Sequence, residues 1–594
     1  MKYSLAVALI LVLSACSTPP ESPGQSAHPA ASQAKADNPH PINEVLGGQS
    51  EPKKTIPEPE QTRRIRVEQR LAEKTEADRA RFAQAARPMS KRHALMASEA
   101  IAPGPIPVPP MYPSPPPVDR EGYAAIAENR FLSTALSPLS TFGLDVDTAS
   151  YSNMRRFINN GRLPPPDAIR IEELVNYFDY DFPSPEADHP ISVTSDYAVA
   201  PWNPDHRLAM IGVKAHDIRA DARAPNRLVF LLDTSGSMSS HDKLPLLIQS
   251  FGHLVNQLGP QDRVAIVTYA GSAGLVLPST SGANKGQILG ALSRLSAGGS
   301  TAGGAGIQLA YQVARQQFAA NANNRVIIGT DGDFNVGASS NGELVRMIEK
   351  EREHGVFLTV MGFGTGNYQD AKMQQLAGHG NGTHHYIDSA REAQRVLGAK
   401  LLSTLYTVAK DVKVQVEFNP AAVAQYRLIG YENRVMAAED FRDDKKDSGD
   451  VGAGHTVVAL YEIIPTGIEK ALDIERRYAQ PGHGGSTAME LGYVKLRYKQ
   501  PDSDAATEFD WVMNTRARTI ETASANLQWA ASVAELGLLL GDSDHKGKAN
   551  FASLIARAES FAITGEVSED QREFLQLARR AQTMSQTVSG VVRH

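Results

Sequence analysis

The chain has 594 residues, of which 60 are Lys or Arg and 66 are Asp or Glu, giving a formal net charge of −6. Hydrophobic residues make up 42% and charged residues 21%, which excludes a chain that is disordered or collagen-like throughout; the length allows about three to five domains. The near balance of charge leaves no basic field to draw nucleic acid, and a single cysteine permits neither an intramolecular disulfide nor a cysteine-built zinc or iron–sulfur centre.

Residues 1–15 read as a signal peptide. Lys2 supplies the positive start, Leu5 to Leu13 form an apolar run too short to span a bilayer as a helix, and Ser14 and Ala15 are small residues ahead of Cys16. Leu13-Ser14-Ala15-Cys16 resembles the bacterial lipobox, which implies cleavage before Cys16 and its acylation. Several acyl chains on one residue make a stable anchor, since each buried methylene contributes about 0.8 kcal/mol. Ser17 stands where an Asp would retain a Gram-negative lipoprotein at the inner membrane, so the analogy favours the outer membrane, on its periplasmic or surface face. No other run of about 20 apolar residues offers a transmembrane helix.

Residues 16–123 read as a lipid-anchored tether: 19 of the 36 prolines lie in residues 1–120, and such stretches favour extended polyproline II over a packed core. Arg63 to Ala86, charged and alanine-rich, reads as a solvated spacer helix. Residues 124–190 read as a mainly helical extension. Strands of a β-sandwich are expected over 191–222, where Ile191, Val193, Tyr197 and Val199 alternate with polar residues and Leu208 to Val213 follows.

From 223 to 407 apolar strands alternate with helical patterns. Leu228 to Leu232, Val264 to Tyr269, Val326 to Gly329, Val356 to Phe363 and His384 to Ile387 read as strands. Lys243 to Leu258, Ile288 to Leu295, Ala305 to Phe318, Gly342 to Glu353, Gln369 to Ala377 and Ala390 to Leu405 read as helices. This is an α/β, Rossmann-like pattern: a parallel sheet with helices on both faces. A β-rich segment follows over 408–515, with Val412, Val414, Val416 and Phe418 in alternation and further strands at Val457 to Ile464 and Tyr493 to Tyr498. Two strands alone seldom form a stable sheet, so residues 191–214 and 410–500 are expected to build one antiparallel sandwich with the α/β region inserted in it; the alternative is two β units in series. Residues 516–594 read as helices packed on its side.

Asp233-Thr234-Ser235-Gly236-Ser237 lies directly after the first α/β strand, at the carboxyl edge where open α/β sheets bind ligands. Thr301 follows Gly298-Gly299-Ser300 just before a helix, and Asp331 follows the strand at Val326. These loops offer only oxygen donors, without His or Cys, and so suit a hard cation, Mg²⁺ first, with Mn²⁺ or Ca²⁺ as alternatives. The motif resembles the metal-ion-dependent adhesion site of von Willebrand factor A domains. The resemblance implies that Ser235, Ser237 and Thr301 contact the metal through hydroxyls, that Asp233 and Asp331 act through water, and that a partner's carboxylate takes an open position.

Ser140 to Tyr151, Arg155-Arg156-Phe157, Leu163 to Asp167, Glu172 to Phe178 and Gly332 to Gly337 resemble the bacterial YfbK-type von Willebrand factor A lipoproteins, over roughly residues 125–590. The expected function is that of an envelope lipoprotein binding a protein or an envelope polymer, without nucleic acid or nucleotide. A metal-dependent chaperone or assembly adaptor is the second reading and a Mg²⁺-assisted hydrolase the third.

Other clusters promise less. Asp145 and Asp147 are expected to cap or pair with Arg155 and Arg156 rather than hold a second cation. His384 and His385 alternate along one strand and cannot easily share an ion with each other or with His379. Gly298 to Gly306 lacks the ending of a phosphate loop, and Gly482 to Thr487 is a loop on the same ground. Ser235 lacks the upstream glycine of a nucleophile elbow, and Asp233-Thr234-Ser235 lacks a second Asp, so an enzyme is not expected.

Overall fold

Ahead of the α/β region the chain contributes β1 (Leu132–Ser133), β2 (Leu139–Gly143), β3 (Ile191–Ala200) and β4 (Asn203–Ala215). Within it lie β5 (Asn226–Asp233), β6 (Arg263–Tyr269), β7 (Ala273–Ser281), β8 (Asn323–Thr330), β9 (Phe357–Phe363) and β10 (His384–Ile387). After it come β11 (Thr407–Phe418), β12 (Val423–Ile429), β13 (Val435–Met436), β14 (Val451–Gly452), β15 (Thr456–Pro465), β16 (Glu490–Lys499) and β17 (Ala506–Asn514). The structure, a computed structural model, describes residues 120–186, 189–219, 223–301, 303–332, 341–446, 448–468, 489–501, 503–564 and 567–591. The signal segment, Cys16, residues 17–119 of the tether with its Arg63 to Ala86 stretch, the Asp333 to Gly337 motif and the Gly482 to Thr487 loop lie outside the described residues, whereas residues 120–123, expected as the end of the tether, are bound to the folded body through the backbone of residues 366–368.

The α/β sheet runs β10-β9-β8-β5-β6-β7. Side chains of β5 alternate between two cores, as strand geometry requires. Leu228, Phe230 and Leu232 share one core with Leu247, Phe251 and Leu254 of the helix Leu244–Gln257. Val229 and Leu231 share the other with Ile307, Ala310 and Tyr311 of the helix Gly303–Gln316. Each fully buried Val, Leu, Ile or Phe among them contributes roughly 1.5–3 kcal/mol. The wholly parallel sheet is corrected at one edge, where β7 pairs antiparallel with β6. Leu275 and Val276 of that strand are exposed, so its short apolar run does not mark a buried strand, and Pro278 within it is tolerated because the strand is an edge. The closing helix is also not continuous: Ala390–Gln394 and Leu401–Leu405 flank a π-helical turn over Arg395–Ala399.

Two antiparallel sheets, β1-β12-β15-β4-β3 and β13-β2-β11-β16-β17, face one another. Between them Phe418 packs on Tyr426 and Tyr461, with ring centroids 4.3 and 5.1 Å apart, and Phe142 lies 6.3 Å from Tyr461. Strand β4 pairs with β15 from Lys214↔Thr456 to Arg207↔Ile463. The segments before and after the α/β region therefore share one ladder, and the region is an insertion between neighbouring strands. Its two ends are stitched together where Arg223 donates to Asp262 and to Tyr406 Oη, and Tyr406 Oη donates to the Ala224 carbonyl.

The extension over 124–190 is not mainly helical. Its α-helices are Ala149–Asn159 and Ile171–Val175, while β1 and β2 extend one sheet each. These strands are two and five residues long, too short to show a period-2 pattern. The helices Ala525–Leu540, Phe551–Thr564 and Glu569–Val591 cover the outer face of the first sheet, where Leu527, Trp529 and Leu536 join Ala198, Leu208, Met210 and Leu460 in one core. Among the described residues no helix is long and apolar enough to cross a membrane.

Asp145 and Asp147 do not pair with Arg155 and Arg156. Asp145 Oδ2 accepts from Arg434 Nε at 2.7 Å, Arg434 also lies 3.8 Å from Asp147, and Asp147 Oδ1 accepts from the His384 amide. The helix starting at Ala149 carries both arginines onward, Arg155 to Asp388, Glu392 and Glu573 and Arg156 to Glu121.

Candidate metal-binding site

Asp233 ends β5, opposite Tyr269 at the end of β6. The chain then turns because Asp233 Oδ1 accepts from the Ser235 amide at 2.8 Å, a local side-chain turn that Asp favours. The turn is fastened to the Gly298–Thr301 loop by two backbone bonds, Gly298 N to Thr234 O at 2.8 Å and Gly236 N to Gly299 O at 3.0 Å. Gly299 has φ of 83°, and a Cβ there would approach Gly271 N to 3.1 Å. The spacing of Ser235 and Ser237 places their Oγ atoms 3.1 Å apart.

Beneath these hydroxyls lie the two carboxylates. Asp233 and Asp331 are fully buried, while Ser237 and Thr301 are half-buried at the rim. Asp233 Oδ2 accepts from Thr330 Oγ1 at 3.2 Å, and Asp331 Oδ2 accepts from Lys243 Nζ at 2.8 Å and Asn367 Nδ2 at 3.4 Å. Gly332 has φ of 98°, and a Cβ there would come within 2.6 Å of Gln369 N, so glycine lets the 367–369 loop approach Asp331. The Asp233 carboxyl is pushed up to about 6, chiefly by burial and further by the charge of Asp331, against bonds from Ser235 that favour ionisation.

The five residues singled out in the sequence thus lie on adjoining loops at one end of the sheet. Their donors are all oxygen, two hydroxyls stand at the separation of neighbouring ligands on one small cation, and of the two buried carboxylates Asp331 is paired with Lys243. The donor set fits Mg²⁺ or Mn²⁺. Among the described residues no group of three or more His, Cys, Asp or Glu forms a metal-holding cluster, and a cation at this place would have to draw on the hydroxyls. Histidine is not part of it. His384 and His385 are buried, and His379 pairs with Glu349 at 2.9 Å.

Sequence reasoning missed Lys243, Thr330 and Asn367. Thr330 stood beside Asp331 in the motif, but Lys243 and Asn367 become neighbours only once the helix start and the loop after β9 are placed. It also missed a strap beside the site. Arg120 N donates to Gly366 O, Gly122 N donates to Tyr368 O, and Glu121 Oε1 accepts from the Gly366 amide. Arg156 grips Glu121 through both guanidinium nitrogens, at 2.9 and 2.7 Å.

Comparison with known proteins adds the family. Residues 228–398 match the family described as von Willebrand factor type A domain, residues 403–584 that described as uncharacterized protein YfbK, C-terminal, and residues 117–210 that described as von Willebrand factor. Uncharacterized protein YfbK of Escherichia coli strain K12 is 41% identical over 469 residues, covering 77% of this chain and 80% of that protein. Uncharacterized protein sll0103 of Synechocystis is 26% identical over 196 residues, covering 33% of this chain and 45% of that protein. A solved von Willebrand factor type A protein from Catenulispora acidiphila is 17% identical, with 68% of this chain and 91% of that chain covered at a TM-score of 0.39. The von Willebrand factor A domain points to a protein-interaction or adhesion-type function.

Proposed function

This chain belongs to the YfbK family of von Willebrand factor A domain proteins, and on that premise we propose that it is an envelope lipoprotein that binds its partner through a Mg²⁺-dependent site. Ser235, Ser237 and Thr301 hold the ion through their hydroxyls, and Asp233 and Asp331 balance it from beneath. Bound Mg²⁺ would supply an under-neutralised position that a carboxylate on a protein or envelope polymer completes. The observation that carries this reading is the juxtaposition of paired hydroxyls 3.1 Å apart, Ser235 buried and Ser237 half-buried, with the two buried carboxylates of Asp233 and Asp331. No nucleotide, nucleic acid or catalytic turnover enters it. The anchor is Cys16, and the proline-rich stretch behind it gives the body reach from the membrane.

The experiment is in-cell crosslinking with wild type and Asp233→Ala. A partner captured by the wild type and lost from the variant in Mg²⁺ is expected; identical partners for both would set the metal-dependent role aside. For the anchor, Cys16→Ser is expected to leave the membrane fraction or to remain uncleaved. A mature, membrane-bound Cys16→Ser protein would contradict lipidation.

A further inference from the structure

We propose that Lys243 is a tethered counter-cation of the metal site: its ammonium neutralises Asp331 when no divalent ion is bound, and it weakens the site for metal alone so that binding is completed by an anionic partner. The inference rests on the metal-site reading above and concerns what regulates that site. Lys243 Nζ lies 2.8 Å from Asp331 Oδ2, with the lysine side chain 8% exposed and the aspartate fully buried.

Three features indicate that this ammonium is placed for Asp331 rather than for helix stability. Lys243 is the residue immediately ahead of the helix Leu244–Gln257, and a cation at a helix amino terminus meets the unfavourable end of the macrodipole. The neighbouring Asp242 accepts from Ser240 Oγ at 2.5 Å and Thr365 Oγ1 at 3.5 Å, so the lysine passes over a nearby, less buried carboxylate to reach Asp331. Its stem also needs a cleared path. Any Cβ at Gly364 would overlap Lys243 Cγ and Cε, and Gly364 holds φ of 71°. The loop after β9 is thus shaped around the lysine stem.

Charge arithmetic gives the consequence. Asp233 and Asp331, both ionised, carry two negative charges, and Lys243 offsets one. A divalent ion entering this set leaves one positive charge in excess, whereas without the lysine the same ion is balanced. Buried charges this close are poorly screened by salt, so the lysine lowers affinity for the bare ion. The excess charge is then available to the partner's carboxylate, which couples metal and partner binding.

The test uses the full chain in four forms: wild type, Lys243→Met, Lys243→Gln and Lys243→Arg. Lys243→Gln retains a hydrogen-bond donor toward Asp331 and guards against misfolding of Lys243→Met. Mn²⁺ affinity is read by calorimetry, and melting temperature with and without Mg²⁺. The neutral variants are expected to bind Mn²⁺ roughly tenfold or more tighter than wild type, with Lys243→Arg close to wild type. They are also expected to melt lower than wild type without metal and to recover that loss in saturating Mg²⁺. Equal Mn²⁺ affinity in wild type and the neutral variants would overturn the counter-cation while leaving the metal site standing. A melting deficit that Mg²⁺ does not change would mark the lysine as merely structural. Absence of Mn²⁺ binding from every form would overturn the metal reading and this inference with it.

Discussion

At the scale of single residues, the metal site and the buried histidines make opposite demands on pH. Asp233, pushed up to about 6 chiefly by burial, holds its proton longer in the folded chain. Its contribution to stability is complete below the ordinary aspartate pKa and is lost as pH rises through 6. Asp233→Ala gives up the bond from Ser235 but also a poorly compensated buried charge, so stability is expected to change by only about 1 kcal/mol, with loss of Mn²⁺ binding by calorimetry. The histidines run the other way. Burial pulls His385 down to about 4 against the raising charge of Glu392, with a smaller push from Arg395, and burial with Lys400 and His385 pulls His455 down to about 3. His455 Nδ1 accepts from the Gly452 amide at 3.2 Å and must be unprotonated to do so. Both contribute stability present above the unfolded histidine value, about 6.5, and lost as pH falls through their folded values. Urea titrations at pH 7 and pH 4.5 are expected to show a loss that shrinks on the order of 2 kcal/mol in His385→Gln. An unchanged pH slope in that variant would remove His385 as a source of acid sensitivity.

At the scale of elements, legibility followed the strength of periodic signal. Val412 to Phe418 and Leu228 to Leu232 announced their strands because alternation and apolar runs map onto two-sided burial. Strand β7 and the short strands β1 and β2 were silent: β7 and β1 are sheet edges that bury little, and β2, with five residues, is too short to show a period. The π-helical turn was silent as well: Arg395 there stacks 3.7 Å from the Tyr177 ring centroid, a contact that depends on distant chain. The same holds for the strap at Arg120–Tyr123, whose polar residues looked like the end of the tether. Because the strap secures the 366–370 loop, and Asn367 of that loop reaches Asp331, a chain begun at residue 124 is expected to melt a few °C lower than one begun at residue 119. It should also bind Mn²⁺ more weakly. Equal melting and equal affinity in differential scanning fluorimetry and calorimetry would show that the strap supports neither the loop nor the site.

At the scale of the whole molecule, the insertion joins three kinds of structure through shared strands and cores and is expected to make them one cooperative body. The sequence implied it only by inference, from strands on both sides of the α/β region that lacked partners; the β4–β15 ladder is the physical answer. Arg155, with a side chain 3% exposed, bridges the extension helix to Asp388 and Glu392 of the α/β region, at 2.6 and 2.8 Å, and to Glu573 of the last helix, at 3.0 Å. Burial raises the Glu392 carboxyl, but Arg395 and Arg155 outweigh it and hold the group at about 2. Arg155→Ala leaves two buried carboxylates without this partner and is expected to destabilise the chain by about 3–5 kcal/mol. All three tryptophans, Trp202, Trp511 and Trp529, lie outside the α/β region, so fluorescence follows the sandwich and terminal helices while far-UV circular dichroism follows the whole. The two signals are expected to share one urea transition in the wild type, and separate midpoints there would refute a single cooperative body.

The metal assignment is the claim on which the rest depends, and diffraction at the manganese edge from crystals soaked in Mn²⁺ tests it most directly. The account predicts one anomalous peak bonded to Ser235 Oγ, Ser237 Oγ and Thr301 Oγ1 at about 2.1 Å, with Asp233 and Asp331 behind it. A fully soaked crystal with no peak among those hydroxyls, or with its peak held by other side chains, would contradict it.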